Sequence, residues 1–404
     1  MLTKLVIEQV IGSQKERLAQ MNVGLQRYND EFDELSSHAL IVSGIRRCGK
    51  STLLQQLNKK LNTNSIYLNF EDPRLAGFDM SDFNRLHEIA VKNGIEVYFF
   101  DEIQNVDKWE SFIRFRLDEG YKIFITGSNA SMLSKELGTK LTGRHITKEL
   151  FPFSYNEYLR FTDQKNDEFS SVKYMKTGGF PEYLKTSMTE VLMQSFNDIV
   201  ILDIAIRYNI KNKSILQQMA VWLVSNTGKP ITGNSLRKIF QISSSSTMMD
   251  YLSFFVDAYL FFFIPKFSYS HKVQLVNPKK VYCIDNGLIE INSVSFNEDN
   301  GRLLENMVFM QLRRKTSEIF YFSDKKECDF VVFEKGKLKN LVQVCWLVDE
   351  NNMERELSGI VEAMNFFDQK TADIITNNQF DTFIIDDKTI NVKPFYAWAQ
   401  SITE

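Results

Sequence analysis

Short apolar runs recur along the first 150 residues, with stretches of helical spacing between several of them. The runs are Ala39–Val42, Ser65–Phe70, Glu96–Phe100 and Lys122–Thr126, and His145–Leu150 is a fifth candidate. After the first run, Thr52–Leu61 repeats leucine at helical spacing. Residues 1–38 mix Glu, Lys and Arg with apolar positions and predict a helical lead-in. Apolar strands alternating with helices predict an α/β domain, a parallel sheet with helices on both faces. Ligands of such sheets lie at the carboxyl ends of the strands. The loops after the strands are therefore where chemistry is expected.

Beyond residue 159 the pattern changes. Residues 160–212 read as helical, broken by Thr177-Gly-Gly-Phe-Pro-Glu182, a turn by composition. Asp203 and Arg207 are spaced to pair along one helix face, in a structural role. From Ile215 to Lys266 the order is helix, turn, helix, serine turn (Ser243–Ser246), helix, apolar strand, which is winged-helix order. The third helix, Met-Met-Asp-Tyr-Leu-Ser-Phe-Phe, offers none of the Arg, Lys, Asn or Gln side chains that read base edges. It predicts protein packing rather than specific DNA reading. Lys211, Lys213, Arg237 and Lys238 form either phosphate contacts or a solvated face.

Composition narrows the classes further. At 404 residues, two or three domains are expected. Apolar residues make up 44% and charged residues 25%, ordinary globular values. A net charge of −3 gives no overall electrostatic case for nucleic acid or a membrane surface. Cys48, Cys283, Cys328 and Cys345 are too scattered for a zinc knuckle or a disulfide framework, so reduced thiols in a cytoplasmic protein are expected. The most apolar window, Leu252–Pro265, is interrupted by Asp257 and reads as a buried helix running into a strand, with no membrane span.

The candidate chemistry starts at Gly44-Ile-Arg-Arg-Cys-Gly-Lys-Ser51, which fits G-x-x-x-x-G-K-[ST] between a strand and a helix. Gly44 and Gly49 let the backbone curl so that the N–H groups of the loop, Arg46, Arg47 and Cys48 among them, line one concavity; Thr52 follows in the first helical turn. The helix adds the positive end of its dipole. Lys50 reaches the β- and γ-phosphates of ATP, and the Ser51 hydroxyl ligates Mg²⁺. After the third strand, Asp101 can hold the same Mg²⁺ and Glu102 can polarise the attacking water. The plainer alternative, two solvated acids opening a helix, loses ground beside the first motif. After the fourth strand, Ser128 or Asn129 is either a sensor of the γ-phosphate or a cap for a helix over Ser131–Leu137. Arg144, presented by a glycine turn, either stabilises transferring phosphoryl charge, in its own subunit or a neighbour's, or is a surface arginine paired with an acid.

These segments together resemble the AAA+-like prokaryotic ATPases that carry a C-terminal restriction-endonuclease-type domain. The resemblance rests on GIRRCGKST (44–52), YFFDEIQ (98–104), FITGSNASML (124–133), LTGRHITKELFPFSYNEYL (141–159) and TGGFPEYL (177–184). It continues in DIAIRYNI (203–210), YCIDNGL (282–288), ENMVFMQLRR (305–314) and ECDFVV (327–332). It implies a P-loop NTPase core with sheet order 5-1-4-3-2, a sensor at Ser128 and an arginine finger at Arg144. The same resemblance implies that the Thr177–Glu182 turn docks the helical segment on the ATPase core. The expected domains are 1–158 (ATPase), 159–270 (helical and winged-helix) and 271–404 (nuclease-like). The last third has the PD-(D/E)xK order, with Glu305 on a helix and Asp329 on a strand, but its E-x-K position reads Gln343-Val-Cys345. Cysteine cannot supply the lysine's charge, so a nuclease-like fold without effective cleavage is expected, Lys325 or Lys326 being the nearest replacement.

The function expected is a Mg²⁺-dependent ATPase working as a nucleotide-driven conformational switch. The alternatives are an ATP-regulated metal-dependent nuclease, a DNA-binding protein, or a module that only binds nucleotide. Whether the partner is DNA or a protein client, and whether the chain forms an oligomer, stay open.

Overall fold

A computed structural model describes residues 2–27, 38–128, 143–294 and 299–402. The chain divides into two compact units, Met1–Leu150 and Phe151–Glu404.

In the first unit, helix α1 (Lys4–Gln20) starts where the Thr3 side chain accepts from the Val6 N–H, and it buries Ile7, Val10 and Gln14. It stops at Gln20, well short of the helical lead-in read from the sequence. The strands are β1 (Ala39–Ser43), β2 (Ser65–Asn69), β3 (Val97–Asp101), β4 (Lys122–Gly127) and β5 (His145–Glu149). Helices α2 (Lys50–Leu61), α3 (Met80–Lys92) and α4 (Trp109–Asp118) connect them. The sheet is wholly parallel in the order β2-β3-β4-β1-β5, the expected order. Both faces are covered, and the strand period of two decides which residue faces which helix. Tyr98 and Phe100 join Phe83 and Phe112 on one face, while Val97 and Phe99 join Leu53, Leu54 and Leu57 on the other. Phe83 and Phe112 stack at 4.5 Å. This packing leaves only the strand ends for polar groups.

The second unit opens with α5 (Tyr155–Thr162), α6 (Glu168–Thr177), α7 (Pro181–Thr186) and α8 (Thr189–Asp198), then a wide-turned helical segment, Ile199–Ile206. Next come α9 (Lys213–Ser225), β6 (Pro230–Ile231), α10 (Gly233–Ile239), α11 (Ser245–Asp257), β7 (Phe261–Pro265), α12 (His271–Val276) and β8 (Lys279–Cys283). β6, β8 and β7 form a small antiparallel sheet. Then follow α13 (Asn286–Asn292), α14 (Asn300–Arg313), β9 (Ile319–Ser323), β10 (Glu327–Glu334), β11 (Lys337–Val344), α15 (Met353–Phe367), β12 (Thr371–Thr376), β13 (Asp381–Ile385), β14 (Lys388–Pro394) and α16 (Phe395–Ser401). The last six strands make one mixed sheet, β13-β14-β12-β11-β10-β9. Asp203 and Arg207 pair at 3.9 Å, as their spacing suggests.

The Gly178-Gly179 turn has a partner no local pattern shows. The Gly179 N–H donates to Asp285 Oδ2 at 2.7 Å, and a Cβ at Gly178 would lie 2.0 Å from Asp285 Oδ1. This turn is therefore held by the Cys283–Gly287 loop and also by Phe153, whose N–H donates to the Gly179 carbonyl at 2.7 Å. No helix among the described residues is long and apolar enough to cross a membrane.

Candidate functional site

The carboxyl ends of β1, β3 and β4 bring the sequence-read residues together. β1 ends at Ser43 and the chain turns at once through Gly44, where a Cβ would stand 2.0 Å from the Leu150 carbonyl oxygen. No other residue fits that approach. Gly49 adopts φ 105° immediately before α2, so the loop closes onto the helix N-terminus. Lys50 is buried in its first turn, and its ammonium donates to the carbonyls of Gly44 and Ile45, both at 3.1 Å. The same ammonium lies 3.6 Å from Glu102 Oε1. Cys48 is buried with its thiol on the Leu150 carbonyl, and burial raises its pKa, so it is a packing residue of the loop. Arg46 pairs with Glu71 at 3.3 Å, and Arg47 is exposed with a left-handed backbone. Thr52 stands in the first turn of α2.

Asp101 is fully buried at the end of β3 and accepts from Tyr67 Oη at 2.6 Å and from the Thr126 hydroxyl. Burial raises its pKa, the neighbouring Glu102 carboxylate adds to this, and the hydroxyls of Thr126, Tyr67 and Ser51 oppose both. Glu102 sits on a left-handed backbone (φ 52°, ψ 45°), and its N–H donates to Thr126 Oγ1 at 3.1 Å. Its Oε2 accepts from the Gln104 amide. A non-glycine residue held in that region costs about 1–3 kcal/mol, the kind of strain that gathers at functional sites. Ser128 is buried at the end of β4, one residue past Gly127, which pairs with Ser43. Asn129 and the segment Ser131–Leu137 lie outside the described residues.

Tyr67, Thr126, Glu71 and Arg27 were missed by the sequence reading. Arg27 Nη1 donates to the Cys48 carbonyl at 2.7 Å, tying the lead-in to the loop. Only Thr126 carried a signal, a lone hydroxyl at the end of an apolar strand. The others depend on β2 and the lead-in lying beside β3 and the loop, which no local pattern records.

For Arg144 the structure shows the surface pairing with an acid that was one of its open alternatives. It directly precedes β5, whose first residue pairs with Ala39 at the start of β1. The phosphate loop leaves the opposite end of β1, about 17 Å away at roughly 3.3 Å per strand residue. Its guanidinium pairs with Asp118. Arg144 does not reach the nucleotide loop of its own chain.

The donor set suits a nucleotide with Mg²⁺. That ion needs few protein oxygens beside water and phosphate, and the Ser51 hydroxyl and the Asp101 carboxylate line one cavity. The loop amides, the helix N-terminus and Lys50 supply the positive field for phosphates.

A second cluster lies in the other unit. The Lys280 ammonium, nearly fully buried on β8, lies 2.8 Å from Asp329 Oδ1, 3.2 Å from Glu305 Oε1 and 2.8 Å from Glu327 Oε1. Tyr282 Oη donates to Glu305 at 2.6 Å. Glu305 and Asp329 thus meet, as expected, but the lysine between them is Lys280. Lys325 and Lys326 are exposed, and their backbone N–H groups bind Glu362. Gln343 is spent as a bridge, accepting from the Asp329 N–H and donating to Glu356. The Cys345 thiol is pushed up to about 11, chiefly by burial.

This cluster makes stability depend on pH. Burial pushes the Glu305 carboxyl from 4.5 up to about 7, with Lys280 opposing the shift. A carboxyl raised on folding contributes stability that is complete below its unfolded pKa and is lost as pH rises through the folded one. Glu305→Gln is therefore expected to flatten the fall in melting temperature between pH 5 and pH 8. Parallel wild-type and variant curves would refute this.

Fold and site give the first unit a P-loop NTPase α/β fold. A family model described as an AAA domain matches residues 36–159, and one for a domain of unknown function (DUF8612) matches residues 169–295. The uncharacterized protein MJ1544 of Methanocaldococcus jannaschii is 36% identical over 393 residues, covering 89% of this chain and 87% of its own. The chain belongs to the same family as that protein. An uncharacterized protein of Haemophilus influenzae is 31% identical, over 78% of this chain and 84% of its own. Among solved structures, the Thermotoga maritima RuvB Holliday junction branch migration motor aligns at 15% identity over 65% of this chain and 89% of its own. Its TM-score of 0.28 is too low to bear on fold or function.

Proposed function

We propose that the protein binds ATP with Mg²⁺ and hydrolyses it, working as a nucleotide-driven conformational switch. One observation carries this reading: Lys50, Ser51, Asp101 and Glu102 converge where three parallel strands end, with Glu102 within 3.6 Å of the Lys50 ammonium. In the proposed reaction, loop amides and Lys50 bind the phosphates and neutralise charge at the transferring group. Ser51 and Asp101 would hold Mg²⁺, which would supply charge neutralisation at the phosphate oxygens. Glu102 takes the proton of the attacking water, and Ser128 senses the γ-phosphate. Arg144, at the end of the strands opposite the loop, is proposed to serve the site of a neighbouring copy in an oligomer. The protein is proposed to be cytoplasmic.

For the second unit we propose a winged helix (α9 to β7) and a nuclease-like sheet that does not cleave. Supporting this, Lys280 neutralises three carboxylates at once and leaves no ammonium to activate water. The second reading, an ATP-regulated nuclease, is favoured only by the same lysine lying beside Asp329. Steady-state ATP turnover of the full chain, with Mg²⁺ or Mn²⁺ and with or without single- or double-stranded DNA, tests both. Turnover with intact DNA is expected; DNA-stimulated turnover would make DNA the partner. No turnover under any condition would sink the ATPase reading, and DNA cleavage lost in Asp329→Ala would promote the nuclease.

A further inference from the structure

We infer that Gln55 is a positioning residue for the nucleotide's Mg²⁺: its amide oxygen accepts a hydrogen bond from a water on the metal. The inference rests on the ATP–Mg²⁺ reading and deepens it.

Gln55 lies four residues after Ser51 on α2, so the two side chains share a helix face about 5–6 Å apart. It is only 4% exposed, yet its Oε1 has no hydrogen-bond partner. Its Nε2 meets the Met21 sulfur at 3.5 Å, a weak acceptor. A buried carbonyl oxygen left without a donor costs about 1–3 kcal/mol, so a donor is expected to visit it. Gln55 borders a cavity of about 420 Å³ together with Ser51, Asp101, Tyr67, Asn69 and Gln14. Ser51 and Asp101 are the two groups that suit the metal, so the cavity opens directly on the place of its hydration shell.

The chemistry of that shell names the ligand. Mg²⁺ keeps several waters when it binds protein and phosphate, and each is a strong donor. Asp101 already accepts from Tyr67 and Thr126, one on each oxygen, which limits what it offers to those waters. A hydroxyl–metal bond and a metal–water bond of about 2.1 Å each, plus a hydrogen bond of about 2.8 Å, carry the path from the Ser51 hydroxyl through the metal to the next turn of α2. A neutral amide oxygen there fixes a water without adding charge.

The test measures metal binding separately from turnover. Mn²⁺ binding to the full chain with a non-hydrolysable ATP analogue is followed by electron paramagnetic resonance, and analogue affinity is also measured in EDTA. Gln55→Met keeps length and helix propensity but removes the acceptor; it is expected to weaken Mn²⁺ about tenfold, as outer-shell partners do, with affinity in EDTA unchanged. Gln55→Glu restores an acceptor and is expected to bind Mn²⁺ at least as tightly as wild type. Equal Mn²⁺ affinity in Gln55→Met and wild type would overturn the inference. So would weakened analogue binding in EDTA, which would make Gln55 part of the nucleotide pocket. Failure of the wild type to bind Mn²⁺ with the analogue would overturn the ATP–Mg²⁺ reading itself.

Discussion

Lys50→Ala is expected to abolish ATP binding at working concentrations. The ammonium is buried and already held in place by the Gly44 and Ile45 carbonyls, so little ordering is left to offset when phosphate arrives. Truncating one partner of a desolvated charge pair costs roughly 2–5 kcal/mol, or about 30-fold to several thousandfold in affinity. Calorimetry on the folded variant checks this, with circular dichroism confirming the fold. Affinity equal to wild type would remove the 44–52 loop as the nucleotide site.

Glu102→Gln is expected to separate binding from turnover. The amide keeps the shape of the side chain beside Lys50 and Gln104 but cannot take the proton of the attacking water. Hydrolysis should fall by roughly 10²–10⁴-fold, the usual loss for a general base, while ATP affinity stays close to wild type. Binding and turnover falling together would assign Glu102 to the metal or the fold. The left-handed backbone at Glu102 makes this variant informative, because its N–H is fixed on Thr126 whatever the side chain is.

Much of the nucleotide site was legible because its parts are short and consecutive. A glycine loop between strand and helix, and two acids ending an apolar strand, are local patterns whose geometry follows from backbone rules. The five strands of the first unit were legible for the same reason, each falling within one residue of its observed ends. Arg144 was different. Its glycine turn suited a phosphate contact, but only the pairing of His145 with Ala39 shows at which end of the strands it lies. The lysine in the second unit was likewise sought next to Asp329 in sequence and came instead from β8, 49 positions away.

By itself the sequence determined the α/β class of the first unit, the phosphate loop and the acids after β3, because each is encoded within a dozen residues. Tertiary structure alone decided which distant side chains complete those groups. Tyr67 and Thr126 reach Asp101 because β2 and β4 flank β3. Lys280 reaches three carboxylates because β8, α14 and β10 meet there. In each case a buried charge needs a partner, and packing chooses it by proximity in space, which sequence order does not record.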